Sequence, residues 1–326
     1  MAFEVFMPAK MQPFVIDELD SACRLHKLWE HADEDAFIDS IAPELRVMIV
    51  SGWSKLVDAA LMKKCPKLEL VSISGAGYEK IDAKYAGQNG IIVTNAAEAL
   101  SNEVADTAIA LLLNAVRRFP EAERYMRAGK WPQGNFPLTA TLRHRTMGIV
   151  GLGLIGKQIA RRAEAFGIKV VYHGRHKQEG VAYRYYASVE EMARDCDTLV
   201  MALPGGPSTV KIASREALEA LGPDGVFVNI SRGSVVDEAA LIELLRSKKL
   251  LAAGLDVFMN EPKIDPAFYE LDNVAICPHW AAGSHDARKT GQRIACNNVL
   301  SWMAGKGPLN PVPETPWPAP AGGNRS

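Results

Sequence analysis

A glycine-rich turn between a predicted strand and a predicted helix constrains this chain more than any other feature. The apolar run at residues 146–150 is followed by Gly151-Leu152-Gly153-Leu154-Ile155-Gly156, and residues 157–166 keep the apolar spacing of a helix. In this context Gly151 permits the tight turn, Gly153 lets the backbone approach a pyrophosphate, and Gly156 lets the helix pack closely on the strand. The helix N-terminus would face the phosphates. The stretch predicts a dinucleotide-binding loop rather than a purely structural turn.

Strand-like runs recur along the rest of the chain, separated by stretches with helical spacing. In the first hundred residues they are residues 4–7, 47–50, 68–73 and 91–94. After the glycine-rich turn they are residues 169–172, 198–203, 226–230, 251–255 and 274–277. This alternation predicts an α/β fold with doubly wound parallel sheets, in which ligands bind beyond the carboxyl ends of the strands.

Three segments between and after these strands have their own character. Ser101 is a plausible N-cap of a long helix that runs to about Arg118, where we expect the chain to cross between domains. Residues 129–145 hold a tryptophan and two prolines without clear periodicity, which suggests an extended loop that contacts a partner subunit. The tail from Gly305 is rich in proline and glycine, and we interpret it as an extended, partly disordered end.

The composition narrows the class of protein. With 326 residues, 48% hydrophobic and 23% charged, the chain is long enough for two globular domains. Its formal net charge of -1 gives no overall field toward nucleic acid or a membrane. The five cysteines are scattered and odd in number, which favours free thiols in the cytoplasm and offers no paired metal ligands. We find no signal-peptide pattern and no apolar run near the roughly 20 residues of a membrane span.

The strand after the glycine-rich turn ends where an NAD site usually carries an acidic residue. That Asp or Glu, about 20 residues beyond the first glycine, accepts hydrogen bonds from the ribose hydroxyls. Here the place reads His173-Gly174-Arg175. Arg175 could pair with a 2′-phosphate, which a carboxylate would repel, and its plane could stack on adenine. We therefore predict NADPH (NADP) rather than NADH as the cofactor, the alternative being that Arg175 is a solvated loop cation.

Arg232, Glu261 and His279 form a candidate catalytic set, since each follows a predicted strand of the second half. Reduction of a 2-keto acid needs a cation for the substrate oxygens, an acid, and a group that tunes the acid. His279 could donate the proton, Glu261 could orient its ring and favour the imidazolium, and Arg232 offers a planar fork for a carboxylate. Taken singly, each could be an ordinary loop or strand-end residue; together, behind a dinucleotide site, they predict catalysis. His285 is a weaker candidate acid because we expect it on the next helix.

Two features of the first hundred residues leave alternatives open. The turn Ser74-Gly75-Ala76-Gly77-Tyr78 follows a strand and is either a plain strand-to-helix loop or a binding loop that presents backbone amides. Trp53, after the strand at residues 47–50, could line a substrate pocket or pack in the core.

At this point four motifs in order resemble the D-isomer-specific 2-hydroxyacid dehydrogenase family over about residues 45 to 300. They are the glycine-rich turn, residues 229–237 (Asn-Ile-Ser-Arg-Gly-Ser-Val-Val-Asp), residues 253–258 with Glu261-Pro262, and Pro278-His279. Within that family, residues 172–175 (Tyr-His-Gly-Arg) resemble the glyoxylate/hydroxypyruvate reductases that use NADPH.

The resemblance implies two Rossmann-like domains with parallel sheets, an active site in the cleft between them, and a homodimer. Residues 1–100 with 287–326 would form the substrate domain, and residues 101–286 the dinucleotide-binding domain. Arg232, Glu261 and His279 match the family's catalytic residues. The residues expected at the cofactor are Gly151, Leu152, Gly153, Leu154, Ile155, Gly156, Gly174, Arg175, Leu203, Pro204, Thr107, Ile230, Ser231, Arg232, Asp256 and His279. Those expected at the substrate are Ala76, Gly77, Trp53, Arg232 and His279, with the Ala76 and Gly77 amides holding its carboxylate and Asp256 facing the nicotinamide carboxamide.

The expected activity is NADPH-dependent reduction of small 2-keto acids to D-2-hydroxy acids, with His279 as general acid. Glyoxylate and hydroxypyruvate are the first expected substrates and 2-ketogluconate the second. The alternative is a cofactor-sensing binding protein of the same fold without turnover, against which the intact Arg232, Glu261 and His279 set argues.

The sequence departs from the family pattern in two places. After His279 it reads Trp280-Ala281-Ala282-Gly283-Ser284-His285 where members usually carry a Gly-Ser-Ala-Thr type segment, as if the spacing were altered. Trp280 could narrow the pocket or stack near the nicotinamide, which leaves the substrate range open. The second departure is the missing acidic ribose partner, interpreted above as a cofactor switch.

Overall fold

The structure, a computed structural model, describes residues 3–52 and 54–318. The chain divides into two compact units, Met1–Leu100 with Ser284–Ser326, and Ser101–Gly283. Each unit is built on one wholly parallel sheet with helices on both faces. The α/β class with two Rossmann-like parallel sheets is therefore confirmed.

The first unit contains a five-stranded sheet in the order β2-β1-β3-β4-β5. Its strands are β1 (Glu4–Met7), β2 (Arg24–Lys27), β3 (Val47–Val50), β4 (Leu70–Ile73) and β5 (Ile92–Thr94). Its helices are α1 (Pro13–Ala22), α2 (Glu34–Ile41), α3 (Ala59–Lys64), α4 (Ala83–Gln88) and, near the end of the chain, α12 (His285–Met303). Alternate strand residues pack on α1 and α12 on one face and on α2 to α4 on the other, so both faces of the sheet are buried.

The C-terminal tail closes one edge of this sheet. Pro311 forms an antiparallel bridge with Thr94, and the amide of Val312 donates to the carbonyl of Val93 over 2.9 Å. The Thr315 hydroxyl bonds to both the amide and the carbonyl of Val93, at 2.9 and 3.1 Å. Val312 and Thr315 are each only 2% exposed. The prediction of a partly disordered tail is therefore wrong for residues 305–318, because the proline-rich segment satisfies the unpaired backbone groups of an edge strand.

The second unit contains a seven-stranded sheet in the order β12-β11-β10-β9-β6-β7-β8. Its strands are β6 (Thr146–Val150), β7 (Lys169–His173), β8 (Arg184–Tyr186), β9 (Thr198–Met201), β10 (Val226–Asn229), β11 (Ala252–Leu255) and β12 (Val274–Ile276). Its helices are α6 (Phe119–Arg127), α7 (Leu154–Ala165), α8 (Val189–Arg194), α9 (Arg215–Ala220), α10 (Glu238–Arg246) and α11 (Ala267–Glu270). The order reverses direction between β6 and β9, which makes the carboxyl end of β6 the topological switch point of this sheet.

Helix α5 (Ala97–Arg117) begins four residues before the predicted start. Ser101 lies inside it and is only 6% exposed, so the prediction of Ser101 as its N-cap is wrong. The residues ahead of Ser101 are alanine, glutamate and leucine, whose helix propensity lets the helix start earlier. By length and composition α5 could cross a membrane, but 56% of its most apolar window is buried within the protein, as in a core helix.

Candidate active site

The turn between β6 and α7, called here the glycine loop (residues 151–156), has the shape that its glycines predict. Gly151 has a φ of 97°, and a Cβ there would lie 2.6 Å from the Ala202 carbonyl oxygen. A Cβ on Gly156 would lie 2.1 Å from the Gly151 carbonyl oxygen, so any side chain would push α7 off the loop. In contrast, a Cβ on Gly153 would meet no atom within 4 Å. The loop is thus closed where it contacts the sheet and open at Gly153.

The open side of the glycine loop is suited to a pyrophosphate. Gly153 is the N-cap of the 12-residue helix α7 and no side chain caps that end, so the first-turn amides face outward. Such amides and the helix dipole favour an anion. The carbonyl of Leu152 accepts from the Gln178 side chain over 2.9 Å, which holds the loop from the side of the next strand. The open position at Gly153 and the uncapped start of α7 suit the phosphates of a dinucleotide.

The residues after β7 form the second part of the candidate cofactor site. Arg175 is exposed and makes no ion pair within the described part of the chain. The loop behind it is fixed, because the Gln178 amide donates to the Tyr172 hydroxyl over 2.7 Å and the Tyr185 hydroxyl donates to the Gly174 carbonyl over 3.3 Å. A guanidinium on a fixed loop, with no carboxylate beside it, can accept a phosphate.

Arg232 is presented by a turn at the end of β10 that a buried amide organises. Asn229 is 0% exposed; its Oδ1 accepts from the Ser231 amide over 3.0 Å and its Nδ2 donates to the Arg232 carbonyl over 2.9 Å. The Ser231 hydroxyl donates to the Leu203 carbonyl, which ties this turn to the loop after β9. A Cβ on Gly205 would lie 2.8 Å from Cγ of Arg232, so Gly205 makes room for the arginine stem.

Glu261 and His279 form a hydrogen-bonded pair at the same edge of the sheet. Glu261 Oε2 accepts from His279 Nδ1 over 2.7 Å, and Oε1 accepts from the Phe258 amide over 2.9 Å. Both side chains remain accessible, His279 at 43% and Glu261 at 32% exposure. With Nδ1 bonded to the carboxylate, Nε2 is the ring nitrogen that can carry a proton to or from a ligand.

The charges around this pair favour the ionised carboxylate. Burial is the largest single influence and would raise the pKa of Glu261. The hydrogen bonds from His279 and the Phe258 amide act in the opposite direction, as do the charges of His279 and Arg232, and their sum outweighs burial. The pKa of Glu261 is therefore lowered. An ionised carboxylate that accepts a hydrogen bond from Nδ1 fixes the orientation of the ring.

Asp256 fixes the backbone of the histidine segment. It is 1% exposed, and its two carboxylate oxygens accept from the amides of Trp280 and Ala281, over 2.6 and 2.9 Å. Its carbonyl accepts from the His279 amide over 2.8 Å. His279 has a φ of 53°, a left-handed conformation that costs energy in a residue with a side chain and persists where the surroundings hold it. Burial raises the pKa of Asp256, although the two amides and His279 act in the opposite direction.

The other residues predicted at the cofactor lie around the same edge of the second sheet. The Thr107 hydroxyl donates to the Ala281 carbonyl over 3.1 Å. Leu154 and Ile155 begin α7, Leu203 and Pro204 follow β9, and Ile230 and Ser231 follow β10. The second unit thus carries every predicted cofactor residue and the Arg232, Glu261 and His279 set, on segments that follow its strands except for Thr107, which lies on α5.

Ala76 and Gly77 belong to the first unit, in the turn after β4. Neither backbone amide donates a hydrogen bond to any of the residues that the structure describes, and both residues are half-buried. Two adjacent unpaired amides can hold a carboxylate. Trp53, the other predicted substrate residue, lies outside the described residues.

Trp280 and His285 both follow His279 closely in the sequence but belong to different units. Trp280 is 53% exposed and its ring lies so close to Gly283 that a Cβ there would come within 2.2 Å of it. His285, the weaker candidate acid, is the first residue of α12 and belongs to the first unit.

Sequence reasoning missed residues that hold the candidate site in place. Asn229 lies in a family motif, but nothing in the sequence marks it as the residue that organises the turn, and Gln178 gives no signal, since a polar residue in a loop is common. Nor does the sequence indicate that the Asp256 side chain binds the amides of Trp280 and Ala281; its expected place facing the nicotinamide stays a prediction. Among residues 3–52 and 54–318, no group of three or more His, Cys, Asp or Glu side chains could hold a metal ion.

Comparison with known families agrees with this geometry. Residues 109–281 match the family model described as D-isomer specific 2-hydroxyacid dehydrogenase, NAD binding domain. The matched residues include the glycine loop, Arg232, Glu261 and His279.

Individual relatives are similar over nearly the whole chain. A hydroxyphenylpyruvate reductase of Plectranthus scutellarioides is 38% identical over 311 residues, covering 95% of this chain and 99% of the relative. A 2-ketogluconate reductase of Gluconobacter oxydans is 38% identical over 275 residues, covering 84% of this chain and 88% of the relative.

One solved structure is similar at the level of both fold and sequence. It is that of an NADPH-dependent glyoxylate/hydroxypyruvate reductase from Sinorhizobium meliloti in complex with NADP and malonate. It has a TM-score of 0.89 and 40% identity to this chain, and the match covers 97% of this chain and 98% of that one.

Proposed function

Because this chain belongs to the D-isomer-specific 2-hydroxyacid dehydrogenase family, we propose that it reduces small 2-keto acids to D-2-hydroxy acids with NADPH. The observation that carries the proposal is the Glu261–His279 pair at 2.7 Å, with the charge of Arg232 acting on the same carboxylate. This pair lies on the same sheet edge as the glycine loop. Reduction of a carbonyl beside a dinucleotide site requires an acid, a carboxylate that orients the acid, and a cation.

The side chains divide the reaction between them. A reduced nicotinamide, when bound, supplies the hydride that the carbonyl carbon accepts. His279 Nε2 donates its proton to the carbonyl oxygen, and Glu261 holds the ring through Nδ1. Arg232 pairs with the substrate oxygens and stabilises the negative charge that develops on the carbonyl oxygen. Asp256 acts through the backbone, since its oxygens bind the amides that follow His279.

We assign the cofactor preference to Arg175. Its side chain is exposed on a loop that Tyr172 and Gln178 hold in place, and the position that usually carries an acidic ribose partner is occupied by His173-Gly174-Arg175. A charge-assisted pair with a 2′-phosphate would favour NADPH over NADH. The Sinorhizobium meliloti relative, described as NADPH-dependent, supports this assignment.

We assign the substrate carboxylate to the amides of Ala76 and Gly77, which donate to no other described residue. Glyoxylate and hydroxypyruvate are the first expected substrates and 2-ketogluconate the second. Two relatives are named for hydroxyphenylpyruvate and 2-ketogluconate, which have larger side groups than glyoxylate, so Trp280 is a candidate for limiting substrate size in this chain. The five cysteines are free thiols, which is consistent with our placement of the enzyme in the cytoplasm.

We further propose that the protein is a homodimer whose interface includes residues 119–138. Helix α6 contains no buried residue, and large apolar side chains lie exposed on it and on the segment after it. They are Phe119 (48% exposed), Met126 (53%), Trp131 (61%) and Leu138 (99%). Exposed apolar side chains of this kind mark an interaction surface.

Substitution of one of these side chains tests the proposed interface. We expect Met126→Glu to shift the protein toward monomer in analytical ultracentrifugation. Val210→Glu, at a comparably exposed apolar residue elsewhere, is the control and should leave the dimer intact. A monomeric wild type would contradict the proposal.

The proposed activity is tested by following NADPH oxidation with a panel of 2-keto acids. We expect turnover with glyoxylate and hydroxypyruvate, and measurable kcat/KM for 2-ketogluconate. The alternative function, a cofactor-sensing binding protein, predicts NADPH binding without oxidation by any member of the panel.

A further inference from the structure

The turn after β4, called here the carboxylate loop (residues 75–78), is oriented by hydrogen bonds to its carbonyl groups. The Ala96 amide donates to the Gly75 carbonyl over 2.9 Å, and Asn95 Nδ2 donates to the Ala76 carbonyl over 2.8 Å. In a planar trans peptide the carbonyl and the following N–H point in opposite directions. Each bond therefore directs the next amide, that of Ala76 or Gly77, away from the protein group that holds the carbonyl.

Asn95 is itself positioned by the C-terminal tail. Its backbone amide donates to the Asn310 carbonyl over 3.2 Å. Asn310 is fixed by Asn298 of α12, which is 0% exposed and whose Oδ1 accepts from the amides of Leu309 and Asn310 at 2.8 and 3.1 Å. Asn298 Nδ2 also donates to Asn310 Oδ1 over 3.1 Å. A buried asparagine thus sets the tail, and the tail sets Asn95.

A second connection joins the tail to the far end of the carboxylate loop. The Tyr78 hydroxyl donates to Glu314 Oε2 over 2.9 Å. The backbone at Glu314 is held against α4, since a Cβ on Gly87 would lie 2.4 Å from the Glu314 carbonyl oxygen. The neighbouring Thr315 is buried and bonded to β5. Glu314 therefore offers Tyr78 a fixed acceptor.

We propose that residues 310–315 of the tail, called here the tail segment, are a positioning element for substrate binding. Through Asn95 and through the Tyr78–Glu314 hydrogen bond, the tail segment holds the carboxylate loop in the conformation that presents the Ala76 and Gly77 amides to the carboxylate of the 2-keto acid. This inference rests on the proposed function. It adds Asn95, Tyr78 and Glu314 as residues that act on substrate affinity without touching the substrate.

The Asn95 connection is tested with a matched pair of asparagine variants. We expect Asn95→Ala to raise KM for glyoxylate and hydroxypyruvate about tenfold with kcat nearly unchanged, because loss of uniform carboxylate binding changes KM alone. Asn89 is the control: its Nδ2 also donates to a backbone carbonyl over 2.8 Å, that of Tyr85, but at the end of α4. Asn89→Ala should leave KM unchanged. An equal rise of KM in both variants would show a general loss of stability and would overturn the proposal.

The Tyr78 connection is tested by removal and rescue. We expect Tyr78→Phe and Glu314→Ala each to raise KM about threefold, and the double variant to raise it no further than either single one. Glu314→Gln keeps a side-chain acceptor and should restore most of the affinity. Tyr269→Phe, at a tyrosine that is 67% exposed in the second unit, is the control and should have no effect. Additive effects of Tyr78→Phe and Glu314→Ala would contradict a shared connection.

Hydrogen exchange gives a readout that does not depend on turnover. Peptides that cover residues 95 and 96, whose amides donate to the Asn310 and Gly75 carbonyls, should take up deuterium faster in Asn95→Ala than in the wild type, while peptides from the second unit should not change. If the wild type turns over 2-keto acids but Asn95→Ala changes neither KM nor exchange, the tail inference is wrong and the proposed function stands. If the wild type turns over no member of the panel, both are overturned.

Discussion

The glycine loop after β6 and the carboxylate loop after β4 both lie at the carboxyl end of a parallel strand, yet they keep their shapes by different means. The glycine loop is shaped by its own residues, since Gly156 lies against the carbonyl of Gly151. The carboxylate loop is held by Asn95 and Glu314, which lie 19 and 236 residues away from the residues they bond. A loop shaped locally can be predicted from a short motif, whereas a loop held by distant residues cannot.

The largest expected effect is the loss of turnover when the proposed acid is removed, since neither loop supplies the proton. His279→Ala should lower kcat by about 10²- to 10⁴-fold, the usual contribution of a general acid. The dissociation constant of NADPH should change little, because the glycine loop is intact. Steady-state kinetics and fluorescence titration of NADPH measure the two quantities. Unchanged turnover in this variant would remove His279 from the role of acid.

A pair of alanine substitutions tests whether the glycine loop is shaped locally. In Gly156→Ala the new Cβ would lie 2.1 Å from the Gly151 carbonyl, so we expect a loss of unfolding free energy of about 1–3 kcal/mol or more together with loss of NADPH binding. In Gly153→Ala the Cβ meets no protein atom within 4 Å, so stability should be retained while NADPH binding weakens. Thermal unfolding and NADPH titration distinguish these results. Equal destabilisation by both substitutions would contradict the local account.

The preference for NADPH over NADH tests the proposed role of Arg175, in the loop that follows β7. Arg175→Ala should lower the ratio of kcat/KM for NADPH to that for NADH by about 10- to 100-fold, since a hydrogen bond to a charged group contributes about 1.5–3 kcal/mol. The loss should fall on NADPH, with the NADH value nearly unchanged. A wild type that prefers NADH would overturn the assignment of Arg175.

The smallest expected effect concerns acid stability. The pKa of Glu261 is lowered in the folded protein, so its ionised form contributes stability above its ordinary pKa, and that contribution is lost as the pH falls through the lowered value. The wild type should therefore exceed Glu261→Gln in unfolding free energy by about 1 kcal/mol at pH 7, and by less at pH 3. Burial is the main cause of the raised pKa of Asp256, and the charge of Glu261 adds to it, so Glu261→Gln also removes that smaller contribution. A gap that widens toward acid pH would contradict the lowered pKa of Glu261.

Much of the fold could be predicted because buried parallel strands read as short apolar runs. The central strands β1, β3, β4 and β9 fell within predicted runs. The edge strands β2 and β8 were missed, since each carries charged, exposed residues and gives no apolar signal. The tail was misjudged for a related reason: its composition suggests disorder, while Val312 and Thr315 are buried by contacts with a strand more than 200 residues away.

The candidate site likewise contains residues that the sequence predicts and residues that it does not. The glycine loop, Arg232, Glu261 and His279 were predicted because each stands in a motif or directly beyond a strand. Asn229 and Gln178, which hold these residues in place, could not be predicted as such, because a side-chain hydrogen bond to a backbone carbonyl leaves no periodic trace in the sequence.

The central claim is that NADPH reduces 2-keto acids in this protein with the Glu261–His279 pair as the proton donor, and product analysis tests it most directly. Wild-type protein is incubated with hydroxypyruvate and excess NADPH, and the hydroxy acid formed is resolved by chiral chromatography. We predict the D-hydroxy acid in amounts equal to the NADPH oxidised, and its near absence with His279→Ala. NADPH that binds without being oxidised, or a product of the opposite configuration, would contradict the account.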